Sequence, residues 1–461
     1  MLQGRFFRRI VELKSGLDRE PSLPFSEVLS RQRITAVLKE LKALYRDRLY
    51  PPWATLWIFL SQVLSADHSC REALSRWLAF RAARGLGPCS TDTGGYCQAR
   101  KRLPLALLMR LARDTGRELH QQAPHEWRIA GRSVKLVDGS TVSMPDTPDN
   151  VAAFGKPRNQ HGVSPFPVAR LVAVLCLATG AALDLALAPC RGKKTGELSL
   201  FRSLKDAFVP NDVVLADRFY CTYCDIARLQ RQGVDVVMRQ HTHRKSDFRR
   251  GLRLGKDDHL VRWQQPTSRP AWMSRQEFAA LPAHLELREV RVQVAIPGFR
   301  VKSLVVVTTL VNPEQFSRQA LAELYRQRWQ AELDLRSIKT VMQMDVLRCK
   351  TAEMVRKEVW MHLLAYNLLR SMLCATAAEH TLCVRTISFK ASLQLLNAFY
   401  HSLVTSSPQE LEMLCTFVLG ALCAHRVGDR PNRYEPRKRK RPPKPYPEMK
   451  LSRDQERKLC A

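Results

Sequence analysis

The chain has 461 residues, long enough for two or three units with at least one substantial core. Its 74 Lys and Arg against 43 Asp and Glu leave a formal net charge of +31, which predicts attraction to a polyanion. DNA and RNA lead on that ground, with a ribosome or an anionic membrane surface still open, but an ordinary spanning helix is excluded because the longest apolar stretch, Leu171 to Leu183, is too short.

The N-terminal segment MLQGRFFRRIVELKSG leads into no signal-peptide core, so the expectation is a cytoplasmic protein associated with DNA. The 13 cysteines, an odd number, suit buried thiols better than a disulfide framework. Residues 1–125 read as mainly helical, with an apolar run from Trp53 to Leu64 and another segment from Leu103 to Ala112. Arg46, Arg48, Arg100, Lys101 and Arg102 are candidates there for DNA backbone contacts, each with the alternative of a solvated surface charge.

An α/β core is expected over 126–238. Asp138 ends the β-branched run SVKLVD, and Asp217 ends DVVLAD, so both read as carboxylates at or near the ends of buried strands. A turn or a helix cap is the ordinary alternative for either one. Val168 to Ala178 and Ala181 to Ala188 supply neighbouring strands, followed by a helix over 222–232 and a strand from Val234 to Met238. Cys221 and Cys224, with His241 and His243 downstream, raise a zinc site, but no second compact cysteine pair accompanies them, and packing thiols are preferred.

The interval from Asp217 to Glu332 is too roomy for one connection, so an inserted module is expected over 239–315. LREVRVQVAI (287–296) and VKSLVVVTTL (301–310) read as two of its strands, joined around Pro297-Gly298. The basic segment Arg239 to Lys256 reads as a DNA-facing loop, with a solvated loop as the alternative. Trp263 and Trp272 are either core residues or base-stacking groups.

Residues 316–425 read as helices, opening with YRQRWQAELDLRSIK from Tyr325 to Lys339. At about 100° per residue, Tyr325, Arg328, Glu332, Arg336 and Lys339 share one sector, while Trp329, Leu333, Leu335 and Ile338 take its flanks and back. This is either a solvated helix face or a phosphate-facing one. Three carboxylates brought together, Asp138, Asp217 and Glu332, suit two Mg²⁺ ions, which take hard oxygen ligands. The tail, 426–461, is basic and proline-rich, and reads as extended rather than helical.

These residues resemble the IS4-type insertion-sequence transposases of the DDE superfamily. The signature Tyr-x2-Arg-x3-Glu-x6-Lys stands without a gap as Tyr325, Arg328, Glu332 and Lys339. The first aspartate of the family maps onto Asp138 in LVDGST and the second onto Asp217 in LADRFY. Further blocks, among them YCQARKRLP and RPNRYEPRKRKRPPKPYP, extend the resemblance over roughly residues 30 to 450. It implies a ribonuclease-H-like mixed-sheet core with a β-rich insertion, behind a mainly helical N-terminal domain that helps recognise transposon ends.

The resemblance also implies an activity. Asp138, Asp217 and Glu332 would hold two Mg²⁺, replaceable by Mn²⁺, while Arg328, Arg336, Lys339 and Tyr325 engage phosphates. The enzyme would cleave insertion-sequence ends, pass through a hairpin, and join the ends to target DNA as a homodimer in the DNA-bound synapse. Where relatives place aromatic, His and Lys residues after the glutamate, this chain has Asp334, Leu335 and Arg336. The alternatives are a catalytically inactive, transposase-derived DNA-binding repressor and a nuclease that cuts without joining.

Overall fold

The structure is a computed structural model that describes residues 28–45, 49–159, 162–293, 303–406 and 408–427, with Phe25, Leu451, Gln455, Lys458 and Leu459. Arg46, Arg48, the Pro297-Gly298 junction and nearly all of the basic tail lie outside the described residues. Two compact units divide the chain, one formed by Met1–Gln122, Thr179–Leu183 and Arg336–Gly428, the other by Ala123–Ala178, Asp184–Leu335 and Asp429–Ala461.

The first unit is helical. Its helices include Arg31–Glu40, Pro52–Leu64, Cys70–Ala83, Gly94–Arg102, Leu105–Gln121, Ala352–Glu379, Phe389–Thr405 and Pro408–Ala424. Ser30, Ser69, Thr351 and Ser388 cap four of them, each side-chain oxygen accepting from the backbone N–H three residues on. The Pro52–Leu64 helix starts on a proline, whose missing N–H costs nothing in the first turn, and buries its run from Ala54 to Leu64.

Ala352–Glu379 has the longest unbroken buried run of any helix in this unit among the described residues. Its pattern reads as amphipathic, yet the helix is buried without a break from Lys357 to Arg370. A helix enclosed on every side must satisfy its polar groups internally. Lys357 Nζ donates to Lys101 O at 2.8 Å, and Glu358 accepts from the backbone N–H groups of Arg348 and Cys349. Asn367 donates to Ala112 O and Ala182 O and accepts from Ala182 N. Gly116 permits this approach, because a Cβ there would stand 2.2 Å from Ala182 O.

The second unit is built on a sheet. Its strands are β1 (Val134–Ser143), β4 (Val168–Cys176), β5 (Ala182–Pro189), β6 (Val213–Ala216), β7 (Asp235–Arg239), β8 (Leu252–Gly255), β9 (Asp258–Gln264), β10 (His284–Gln293) and β11 (Ser303–Thr308). The short β2 (Arg158–Asn159) and β3 (Gly162–Val163) pair separately. The nine strands run in the order β5-β4-β1-β6-β7-β11-β10-β9-β8. β1 is antiparallel to β4 and parallel to β6, and β6 is parallel to β7.

This mixed sheet, following a helical region, is the ribonuclease-H-like architecture that the resemblance implies. Parallel neighbours need crossovers, and helix Tyr223–Arg231 supplies the one between β6 and β7. The strands expected at 287–296 and 301–310 appear as β10 and β11 and pair antiparallel. They extend the same sheet, since β11 pairs antiparallel with β7, so the inserted residues continue the core through its β7 edge.

Candidate active site

Strand register places the two aspartates side by side. The parallel ladder between β1 and β6 ends at Val137 opposite Ala216; Asp138 follows within β1, and Asp217 is the first residue after β6. The apolar runs before them, Val134–Val137 and Val213–Ala216, are buried, so burial fixes the register and the register fixes the carboxylates. One expectation needs correction. Asp138 does not close its strand, because β4 continues to pair with β1 through Ser143, and only the β6 partner stops.

The LVDGST segment is therefore extended, with Gly139 inside the strand where a turn would otherwise be read. A Cβ at Gly139 would lie 2.5 Å from Cδ of Glu197, at the start of helix Glu197–Ser203. Glycine inside a strand marks a close approach, and here the approaching group is a carboxylate. Glu197 accepts a hydrogen bond from Tyr220 Oη at 2.6 Å. Tyr220 belongs to the short turn that directly follows Asp217 and is almost fully buried against Phe201. Neither Glu197 nor Tyr220 stands out in the sequence, where the first reads as an ordinary acid in a helix's first turn.

The glutamate arrives on a broken helix. The Tyr325–Lys339 segment is not continuous: one helix, Arg318–Arg326, stops, Gln327 and Arg328 form a turn, and a second helix runs Trp329–Arg336 before a widened π-helical turn, Ser337–Val341. The uniform 100° projection fails for that reason. Trp329 is 50% exposed and Leu333 37%, while Tyr325, Ala331, Asp334, Leu335 and Ile338 are buried.

The break sends Arg328 toward the acidic groups. Arg328 donates to Glu332 Oε1 at 2.7 Å, and its guanidinium also interacts with Asp217 and with the Tyr325 phenol, so its pKa is raised despite burial. Asp138 has its pKa raised to about 6, first by burial; Gly139 N–H and Arg328 pull it down, and Glu332 and Glu197 push it up. Gly139 N donates to Asp138 Oδ1 at 2.9 Å. Burial is the first cause of the rise at Tyr325 too, and Asp217 adds to it. Asp138, Asp217, Glu332, Tyr325, Arg328 and Glu197 thus form one electrostatic cluster within the sheet unit.

Arg336 and Lys339 fall in the helical unit. Arg336 is exposed; Lys339 is half-buried, with its pKa lowered by burial and raised in part by Asp345. Arg100, a candidate for DNA contact, is buried: it donates to Gln62 Oε1 at 3.0 Å and Cys70 Sγ at 3.2 Å and lies over the rings of Phe59 and Tyr96. A guanidinium so enclosed does not face a phosphate. Lys101 and Arg102 are exposed.

Trp263 is buried core, donating Nε1–H to Glu289 at 2.8 Å with Arg244 stacked on its ring. Trp272 is half-buried under the guanidinium of Arg202, which is itself bidentate to Asp225. The basic stretch from Arg239 includes the end of β7 and all of β8, so part of it is sheet rather than loop.

As a donor set, Asp138, Asp217 and Glu332 offer the hard carboxylate oxygens that Mg²⁺ or Mn²⁺ takes, and burial with the charges of Glu332 and Glu197 disfavours the ionised form of Asp138. Among the described residues no three His, Cys, Asp or Glu side chains already stand in a ligating arrangement. Glu332 is engaged through Oε1 by Arg328 at 2.7 Å.

Residues 129–368, which include all three carboxylates, match the family described as Transposase DDE domain. The transposase InsG of insertion sequence element IS4 from Escherichia coli (strain K12) is 28% identical over 375 residues, covering 78% of each chain. A piggyBac transposase synaptic complex with hairpin DNA, seen by cryo-electron microscopy, is 10% identical at a TM-score of 0.43, covering 89% of this chain and 86% of that one. The chain belongs to the DDE transposase family, among its IS4-type members. Among the described residues no helix is long and apolar enough to cross a membrane.

Proposed function

We propose that this protein cleaves the ends of an insertion sequence and joins the released 3′ hydroxyls to target DNA, through a hairpin intermediate. The observation that carries the reading is the adjacency of Asp138 and Asp217 at the end of the β1/β6 ladder, with Glu332 acting electrostatically on Asp138. The IS4 relative supports the choice of insertion-sequence ends as substrate.

Asp138, Asp217 and Glu332 would hold two divalent cations, Mg²⁺ with Mn²⁺ as substitute. Such ions, when bound, activate an attacking hydroxyl and stabilise the leaving oxygen of an in-line displacement. Arg328 holds Glu332 until DNA enters and then turns its planar fork to a phosphate, which it can engage through two N–H groups. Tyr325 donates to a phosphate beside the junction, and Arg336 and Lys339 neutralise the cleaved end. Water and a DNA hydroxyl are alternative nucleophiles in one geometry, so nicking, hairpin formation, reopening and joining need one site.

We assign end recognition to residues 1–125, and further DNA contact to the insertion (239–315) and the basic tail (426–461). The core over 126–238 and the segment 316–425 would carry the chemistry. Pairing of two ends makes the working form a DNA-bound homodimer. The test is incubation with the element's terminal DNA and Mg²⁺, with nicks, hairpins and joined products detected separately. The expected result is all three, each lost in D138N while terminal DNA still binds. Nicks without hairpins or joining would replace this reading with a simple nuclease. Binding without any cleavage would replace it with a repressor.

A further inference from the structure

Glu197 belongs to none of the motifs that define the site, yet it lies against Gly139 of β1 and against Tyr220 in the turn that follows β6. Its side chain fills the space over Gly139, next to Asp138, where Cδ would be 2.5 Å from any Cβ. Its Oε1 accepts the Tyr220 hydroxyl at 2.6 Å, and Tyr220 closes the turn that begins at Asp217, its backbone N–H donating to Asp217 O at 3.1 Å. One side chain therefore spans from the neighbour of the first aspartate to the turn that holds the second.

The helix carrying Glu197 is fixed in place. Leu200 and Phe201 are buried, Phe201 meets the Tyr220 and Phe208 rings edge-on, and Arg202 forms a bidentate pair with the buried Asp225. Tyr220 supplies a neutral hydrogen bond, which orients a carboxylate without cancelling its charge. A neutral amide could accept the buried Tyr220 hydroxyl as well, so that hydrogen bond alone does not call for a carboxylate. As a carboxylate beside Asp138, Glu197 costs repulsion, and that cost has a use only where a cation offsets it.

We propose that Glu197 is a positioning carboxylate of the transposase site: oriented by Tyr220 and seated on Gly139, it sets the spacing of Asp138 and Asp217 and adds its negative charge to their hold on divalent cations. This rests on the metal reading above and extends it to a fourth acidic residue. Outer residues of this kind typically change metal affinity by about 10–100-fold when altered.

The experiment measures Mn²⁺ binding to the full chain without DNA, by the loss of the free-ion electron paramagnetic resonance signal, together with melting of the metal-free protein. In E197Q, which keeps the volume and an acceptor for Tyr220 but removes the charge, the Mn²⁺ dissociation constant should rise about tenfold. The metal-free variant should melt no lower than the parent, whereas a purely structural role would lower its melting temperature. Y220F, which keeps the charge but frees it, should weaken Mn²⁺ by a smaller factor, and E197D should restore part of the loss. An unchanged dissociation constant in E197Q, or in Y220F should E197Q not fold, overturns the inference. D138N separates the two levels: if Mn²⁺ binding survives D138N unchanged, the metal reading falls and Glu197's role with it, whereas loss in D138N with parental binding in E197Q overturns the Glu197 role alone.

Discussion

The aspartates and the glutamate of this site reach it by different physical routes. Asp138 and Asp217 stand next to each other because two buried apolar runs, Val134–Val137 and Val213–Ala216, pair in one parallel register. A slip of one residue would turn every side chain to the other face, so the aspartate positions are fixed by the same burial that fixes the sheet. Glu332 has no such guarantee. It sits one turn into an eight-residue helix that follows a break at Gln327–Arg328, and its immediate partner is Arg328. The comparison teaches that the sheet half is held by backbone pairing and burial, whereas the helix half is held by a side-chain ion pair. If that is right, damage to the two halves should differ in kind.

The largest expected effect is on the sheet half. D138N and D217N should each lower strand cleavage by about a thousandfold or more, because charge stabilisation worth several kcal/mol is removed with little change in volume. Binding to terminal DNA should be largely retained. Gel assays of cleavage alongside filter binding check this, and near-normal cleavage in either variant would remove that residue from the catalytic set.

The same substitution sharpens the comparison through stability. Asp138 is raised to about 6 from an ordinary value near 3.8, first by burial. An acid whose folded pKa is raised binds protons more readily in the folded state, so the contribution of Asp138 to stability is greatest below the unfolded value and is lost as pH rises between about 4 and 6. Removing the charge in D138N should therefore stabilise the metal-free protein at neutral pH by up to about 3 kcal/mol, with the gain vanishing below about pH 4. Chemical denaturation at several pH values reads this out. No gain at neutral pH would mean the carboxylate is better solvated than its place in β1 implies.

How much of this was legible differs along the same divide. The strands bearing Asp138 and Asp217 were readable because a buried parallel pair leaves uninterrupted β-branched runs. Their adjacency was not, since register is a pairing property that neither run contains alone. Gly139 reads locally as a turn residue; only the approach of Glu197 explains a glycine there. In the Tyr325–Lys339 stretch the signature residues were legible, but the geometry was not. A constant angle per residue assumes an unbroken helix, and the turn at Gln327–Arg328 with the widened turn at Ser337–Val341 violates it. Arg100 failed as a surface cation because its partners, Gln62, Cys70 and the rings of Phe59 and Tyr96, come from elsewhere in the fold.

On the helix half, R328A tests whether the Arg328–Glu332 pair is a catalytic device or a brace. A part-buried i,i+4 pair contributes about 1 kcal/mol or less, so melting should change little. Loss of a phosphate clamp should lower cleavage by about a hundredfold. The reverse pattern, a large drop in melting temperature with near-normal turnover per folded molecule, would make Arg328 a structural brace and leave phosphate contact to other groups.

Lys339 should show the smallest effect and the most selective one. It closes the signature, but it lies within the widened turn and is half-buried, with its pKa lowered by burial and only partly restored by Asp345. General affinity for DNA is spread over many cations in a chain of net charge +31, so the loss of one hardly changes binding to unrelated duplex. A contact made specifically to the cleaved end concentrates its effect there. K339A should weaken binding to pre-cleaved or hairpin ends by roughly fivefold, about 1 kcal/mol, and reduce the salt slope on that DNA by about 1. On unrelated duplex of equal length both quantities should stay near the parental values. Titrations at matched salt concentrations measure the difference, and equal losses on the two DNAs would place Lys339 with the diffuse basic surface rather than beside the reacting phosphate.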